Sequence, residues 1–152
     1  PQKMTKWYVK FVYKTLIVNF LNDILKLMSN SSKKILIVED EPALSKVAKK
    51  QLEDEGYTVD IAQNGSDMLT GLMQNTPDLI LLDLVMPKVD GFTVLKEMQS
   101  DSELKQIPVI VLSNLSQDTD VDQVLASGAK EFLVKSDTPL SEVVGVVNKY
   151  LK

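Results

Sequence analysis

The chain is predicted to fold as an α/β sandwich, a parallel sheet doubly wound with helices on both faces. Three observations carry that expectation. Short β-branched or aliphatic segments of four to six residues recur five times, each followed by a stretch with helical apolar spacing. Strict alternation of that kind gives parallel strands joined by right-handed crossovers. The central segment, Leu79-Ile80-Leu81-Leu82, is opened by Pro77 and has no polar alternation, as expected of a strand buried on both faces. Four of the five segments are followed directly by a charged or hydroxyl residue, which puts polar chemistry along the carboxyl edge, where open α/β sheets bind ligands.

The elements follow in order. Lys34-Ile35-Leu36-Ile37-Val38 is the first strand, and Pro42 then opens a helix where its missing N–H costs nothing. Leu44, Val47, Ala48 and Leu52 form the expected buried stripe of that helix and Gly56 stops it. Tyr57 to Ile61 reads as a half-exposed strand, and Ser66 to Gln74 as a helix with Met68, Leu69, Leu72 and Met73 inward. After the central strand, Pro87 and Asp90-Gly91 force a turn, and Phe92, Val94, Leu95 and Met98 mark a third helix. Ile107 to Leu112 is the fourth strand, with Pro108 at its start where a ladder N–H is dispensable. Asp118 to Ser127 is a helix ended by Gly128, Glu131 to Val134 the fifth strand, and Leu140 to Leu151 the last helix.

Composition removes whole classes of chemistry. There is no Cys and no His, and all seventeen basic residues are Lys. Disulfides, thiolate or imidazole metal sites, Ser-His-Asp and Cys-His catalysis and arginine fingers are therefore excluded. Residues 1–32 carry five Lys against one acid, whereas 33–152 carry twelve against twenty. The globular part is acidic, which disfavours direct nucleic-acid binding.

Residues 1–32 read as an appendage, and 33–152 as the folded domain. From Trp7 to Met28 apolar residues dominate, interrupted by Lys10, Lys14, Thr15, Asn19, Asn22, Asp23 and Lys26 at helical spacing. The result is an amphipathic, Lys-rich helix suited to a membrane surface or a partner's apolar patch rather than to spanning a bilayer. Met28-Ser29-Asn30-Ser31-Ser32 also looks like a start and linker, so that what precedes it reads rather as upstream sequence than as a working helix.

Strand ends bring the chemistry together. Glu39 and Asp40 follow the first strand, Asp83 the third, Ser113 the fourth and Lys135 the fifth. Any one of these is an ordinary turn or cap residue when taken alone. Together they place three carboxylates on one edge, an oxygen-only donor set suited to a hard octahedral cation such as Mg²⁺. A hydroxyl and an ammonium beside them complete a cage for a tetrahedral anion.

Glu39-Asp40, the Leu82-Asp83-Leu84-Val85-Met86-Pro87 segment with Asp90-Gly91, Ser113 and Lys135 resemble the receiver domain of bacterial two-component response regulators. The resemblance covers Lys33 to Lys152 and implies a flavodoxin-like sheet of strand order 2-1-3-4-5. It implies that Asp83 is the phosphoacceptor, served by a sensor histidine kinase or phosphotransfer protein. Asp40, Asp83 and the Val85 carbonyl would bind Mg²⁺ directly and Glu39 through water. Ser113 and Lys135 would contact phosphoryl oxygens, and Phe132 would be the aromatic switch residue, or else a plain core aromatic. The implied protein is cytoplasmic, is not an enzyme but a phosphoacceptor signalling domain with Mg²⁺-dependent self-phosphorylation and slow self-dephosphorylation, and signals to a downstream effector protein.

Two residues depart from the family's pattern. Ser136 follows the strand-five Lys where Pro is usual, and Asn114 follows the hydroxyl where a small residue is common. These are expected to reset the last loop and access to the site. The end of the chain at Lys152, directly after the last helix, is read as a receiver that stands alone. Competing functions fit less well. A haloacid-dehalogenase-type phosphatase needs a second acid where Val85 stands, and an FMN carrier needs a hydroxyl- and Gly-rich loop where this chain has Glu39-Asp40-Glu41-Pro42. A pseudo-receiver that only binds partners is the remaining alternative.

Overall fold

The computed structural model describes residues 11–21, 24, 32–86, 90–115 and 118–152. Pro1–Ser32 and Lys33–Lys152 form two compact units. In the first, residues 11–21 are helical (α1) and include Lys14, Thr15 and Asn19 of the expected polar stripe. Lys10, Asn22, Asp23 and Lys26 fall outside the described residues. Among the described residues no helix is long and apolar enough to cross a membrane.

The second unit contains strands β1 (Lys34–Val38), β2 (Thr58–Ala62), β3 (Leu79–Leu82), β4 (Val109–Ser113) and β5 (Glu131–Val134). Helices α2 (Pro42–Asp54), α3 (Gly65–Gln74), α4 (Gly91–Ser100), α5 (Asp118–Ala126) and α6 (Leu140–Leu151) alternate with them. The sheet order is β2-β1-β3-β4-β5, all neighbours parallel. This is the doubly wound, flavodoxin-like order that the sequence implies. The winding reverses between β1 and β3, and ligand crevices form at such a switch point.

Period-two side-chain alternation divides the core into two layers. Ile35, Ile37, Leu79, Leu81 and Ile110 pack with Leu52 of α2 and Val143, Val144 and Val147 of α6. Leu36, Val38, Ile80, Leu82, Val109 and Val111 face the other way, onto Met68 and Leu72 of α3, Val94, Leu95 and Met98 of α4 and Val124 of α5. Leu79, Ile80 and Leu82 are fully buried, each worth about 1.5–3 kcal/mol relative to exposure. That burial holds the central strand, and the acid at its end, in place.

Two helices are turned differently from expectation. In α2, Leu44 is 42% and Val47 60% exposed, while Ser45 is buried with Leu52. The inward stripe is Ser45, Ala48 and Leu52, because Ser45 meets its own hydrogen-bonding need by donating to the Pro42 carbonyl (3.2 Å) and so enters the interior at little cost. In α3, Met73 is 90% exposed, since it lies roughly 140° around the helix from Met68. Strand four starts at Val109, after Pro108, whose carbonyl accepts from Ile80 N–H (3.0 Å). A 3-10 turn at Leu104–Gln106, absent from the sequence reading, leads into it.

The Asp90-Gly91 pair begins α4, with Asp90 Oδ1 accepting from Phe92 N–H (3.1 Å). Pro87, the other expected turn residue, is outside the described residues. Gly91 is needed for close approach: a Cβ there would come within 2.7 Å of Leu84 Cα, the residue next to Asp83. Gly91→Ala is expected to lose about 1–3 kcal/mol of stability as helix and loop are forced apart. Chemical denaturation measures it, and a change under about 0.5 kcal/mol would mean that the approach is easily relieved.

Candidate functional site

Backbone pairing alone assembles the site. Val38 lies opposite Leu82 in the β1–β3 ladder, so the residues that follow, Glu39 and Asp83, emerge side by side. Asp83 N–H donates to the Val38 carbonyl and Glu39 N–H to that of Ala62, both at 3.0 Å. Ser113 lies opposite Val134 in the β4–β5 ladder, and Lys135 N–H donates to the Ser113 carbonyl (3.0 Å). The two loops therefore leave the sheet at the same edge, as the sequence predicts.

Lys135 Nζ lies 2.5 Å from Glu39 Oε2 and 2.8 Å from Asp83 Oδ2. Glu39 and Asp83 are each only 6% exposed. Their other oxygens accept backbone N–H groups, Glu39 Oε1 from Glu41 (3.1 Å) and Asp83 Oδ1 from Val85 (3.0 Å). Burial disfavours the Lys135 ammonium, but hydrogen bonds and charge from Asp83 and Glu39 more than offset it and hold its pKa above the ordinary lysine range. The direct Glu39–Lys135 pair was not anticipated from sequence, where Glu39 is read only as an outer metal contact.

Asp40 is exposed, and one carboxylate oxygen from each of Glu39, Asp40 and Asp83 lies within 4.8 Å of the others. Three carboxylates and one ammonium leave a formal charge of −2 at the site. All the side-chain donors are oxygen, and Asp40 opens the cluster to water, so the residues fit a hydrated, hard divalent cation. A cleft of about 190 Å³ opens beside them, bounded by Glu39, Asp83, Lys135 and Thr138 and by apolar Leu44 and Val47.

The other expected site residues lie near but not within this contact set. Ser113 is fully buried at the end of β4, its Oγ accepting from Leu115 N–H at a long 3.5 Å. Val85 is 57% exposed. Phe132 is half-buried against the layer that includes α4 and α5. The two departures from the family's pattern meet each other: Ser136 N–H donates to Asn114 Oδ1 at 3.0 Å. Among the described residues no peptide bond is cis, that between Lys135 and Ser136 included.

Residues 35–144 match the family model for the response regulator receiver domain. The chain belongs to that family. RpaA of Synechocystis sp., named a DNA-binding dual master transcriptional regulator, is 43% identical over 102 residues, 67% of this chain and 42% of RpaA. Protein PilH of Pseudomonas aeruginosa is 36% identical over 102 residues, 67% of this chain and 84% of PilH. The crystal structure of the Mn²⁺-bound form of response regulator Rcp1 superposes with a TM-score of 0.72 at 32% identity, covering 79% of this chain and 95% of that chain. This receiver thus resembles a solved relative that holds a divalent cation. It spans under half the length of relatives such as RpaA and the probable transcriptional regulator ycf27 of Pyropia yezoensis (45%). The family is a signalling family, found in two-component systems.

Removing the ammonium isolates the electrostatics of the site. Lys135→Ala leaves Glu39 and Asp83 adjacent without a counter-charge, and is expected to lose about 2–3 kcal/mol in chelator, less than a fully buried pair because Asp40 opens the cluster to water. Mg²⁺ should raise the melting temperature of this variant more than that of wild type. Equal shifts would mean that cation and ammonium do not act on the same carboxylates.

Proposed function

We propose that Lys33–Lys152 is a phosphorylation-operated receiver in which Asp83 accepts a phosphoryl group from a sensor histidine kinase or phosphotransfer protein. One observation carries this reading. Asp83 stands at the carboxyl end of the central strand with one oxygen on Val85 N–H and the other 2.8 Å from Lys135 Nζ, next to Glu39 and Asp40. In the transfer, an Asp83 carboxylate oxygen attacks phosphorus in line. The bond from phosphorus to the donor breaks, and its electron pair leaves with the donor atom, giving an acyl phosphate on Asp83. Asp40, Asp83 and the Val85 carbonyl would hold Mg²⁺, with Glu39 reaching it through water. Bound there, the ion would neutralise phosphoryl oxygens as negative charge gathers on them. The Lys135 ammonium already faces Asp83 Oδ2, so it keeps an anionic partner once a phosphoryl group is attached to Asp83. The Ser113 hydroxyl would turn toward that group, and Phe132, only half-buried, has freedom to follow it inward. That movement is the switch read by a downstream effector protein.

The same reading makes the protein a cytoplasmic phosphoprotein that acts through protein partners rather than by binding nucleic acid. Residues 1–32 are an appendage whose amphipathic helix supplies any membrane or further partner contact. The test is incubation with acetyl phosphate and Mg²⁺ followed by intact mass. Wild type should gain one phosphoryl group and Asp83→Asn none. Label on Asp83→Asn would displace the assignment, and an unlabelled wild type would favour the partner-binding pseudo-receiver.

Lifetime follows from what flanks the acid. Hydrolysis of an acyl phosphate needs an aimed water, and here the flanking residues are Val85 and Leu115, which exclude water without orienting it. One missing orienting contact is worth ~1.4 kcal/mol, about tenfold in rate. The phosphorylated state should therefore be long-lived, and Val85→Asn with Leu115→Glu should shorten it by roughly that factor. Decay followed after donor removal decides this: a double variant no faster than wild type would clear these two residues of the role.

A further inference from the structure

We infer that Asn114 is a positioning residue for Lys135, acting through its hydrogen bond to the backbone of Ser136. The inference rests on the reading that Lys135 serves a phosphoryl group on Asp83, and it adds a residue not otherwise in that site.

Lys135 reaches Glu39 and Asp83 on a flexible side chain, so its backbone must hold the ammonium over both acids. That backbone leaves the sheet just where the β4–β5 ladder stops, with Val134 opposite Ser113. Two consecutive amides tie it down across the gap. Lys135 N–H donates to the Ser113 carbonyl (3.0 Å), and Ser136 N–H donates to Asn114 Oδ1 (3.0 Å). The carboxamide of Asn114 thus supplies one rung beyond the end of the ladder, joining loops that are 22 residues apart in the chain. On its far side the turn is closed by Asp137 N–H and Thr138 N–H, both donating to the Val134 carbonyl (3.1 and 3.0 Å). Ser136 N–H is the second donor of this turn, after Lys135 N–H, that points back across the gap, and Asn114 is what it finds there.

The chemistry requires both partners. A small apolar residue at 114 has no acceptor, and a proline at 136 has no N–H. The Ser136 hydroxyl is not part of the link, since it donates to Asp137 Oδ1 (2.8 Å). Asn114 and Ser136 are both exposed, so the clasp counts as one ordinary hydrogen bond, about fivefold in an equilibrium or rate that depends on it.

The experiment is the rate of acyl phosphate formation with acetyl phosphate and Mg²⁺, read by intact mass, alongside exchange of the Ser136 amide by NMR. Asn114→Ala should label about fivefold more slowly, with Ser136 amide protection lost and its melting temperature lowered by no more than a few degrees. Ser136→Ala, which keeps the N–H, should behave as wild type. In a Ser136→Pro background Asn114→Ala should have no further effect, because the donor is already gone. Wild-type labelling by Asn114→Ala, or equal slowing in both backgrounds, would overturn the positioning role alone. A wild type that takes no label would overturn the phosphoacceptor reading and this role with it. Should Ser136→Pro fail to fold, Asn114→Asp takes its place, since it keeps the acceptor oxygen. A rate near wild type is then expected, and one as slow as that of Asn114→Ala would overturn the role.

Discussion

The Lys135 ammonium shared between Glu39 and Asp83 is the interaction on which the site depends. Two carboxylates, each 6% exposed and emerging side by side from neighbouring strands, repel each other and have lost most of their hydration. Such a pair is tolerable only when the remaining lone pairs are satisfied and a counter-charge is close. Here each acid has a backbone N–H on one oxygen and Lys135 on the other. The arrangement still leaves a formal charge of −2 once exposed Asp40 is included. An edge with unspent negative charge, oxygen donors and an opening to water fits a hydrated divalent cation.

The buried core of the sheet makes this possible by fixing the strand ends from which the acids emerge. Leu79, Ile80 and Leu82 are fully buried between two helical layers, so the end of β3 cannot drift, and Gly91 lets α4 press against Leu84 directly behind Asp83. Rigidity beneath the acid and looser packing around it are complementary. All four residues of β5 are only partly buried, including Phe132 and the stem that leads to Lys135. Among the strands, the one that leads to Lys135 is thus the one with no fully buried residue, which leaves it freer to respond to charge at Asp83.

Residues remote in sequence and individually unremarkable gain meaning by meeting. Ser136 and Asn114, read separately, are two departures from a familiar pattern; in the fold they are donor and acceptor of one hydrogen bond. Glu39 is likewise both a buried member of the acidic cluster and the second anchor of Lys135. The same side chain is thereby committed to charge balance before any cation arrives.

The sequence by itself determined the architecture and the edge on which the chemistry sits. Period-two and helical apolar spacing are local, and a residue that follows a strand in a parallel sheet must emerge at its carboxyl edge, so Glu39, Asp40, Asp83, Ser113 and Lys135 could be placed together without coordinates. Tertiary structure alone decided which way the helices turn and which side chains touch. Leu44, Val47 and Met73 were expected inside and are exposed, because α2 and α3 carry apolar residues over a wider arc than the sheet can cover. The Glu39–Lys135 pair, the Asn114–Ser136 bond and the approach of Gly91 to Leu84 each join residues at a distance set by how strands pair and loops end. Such distances are properties of the packed chain, and no local pattern of residues encodes them.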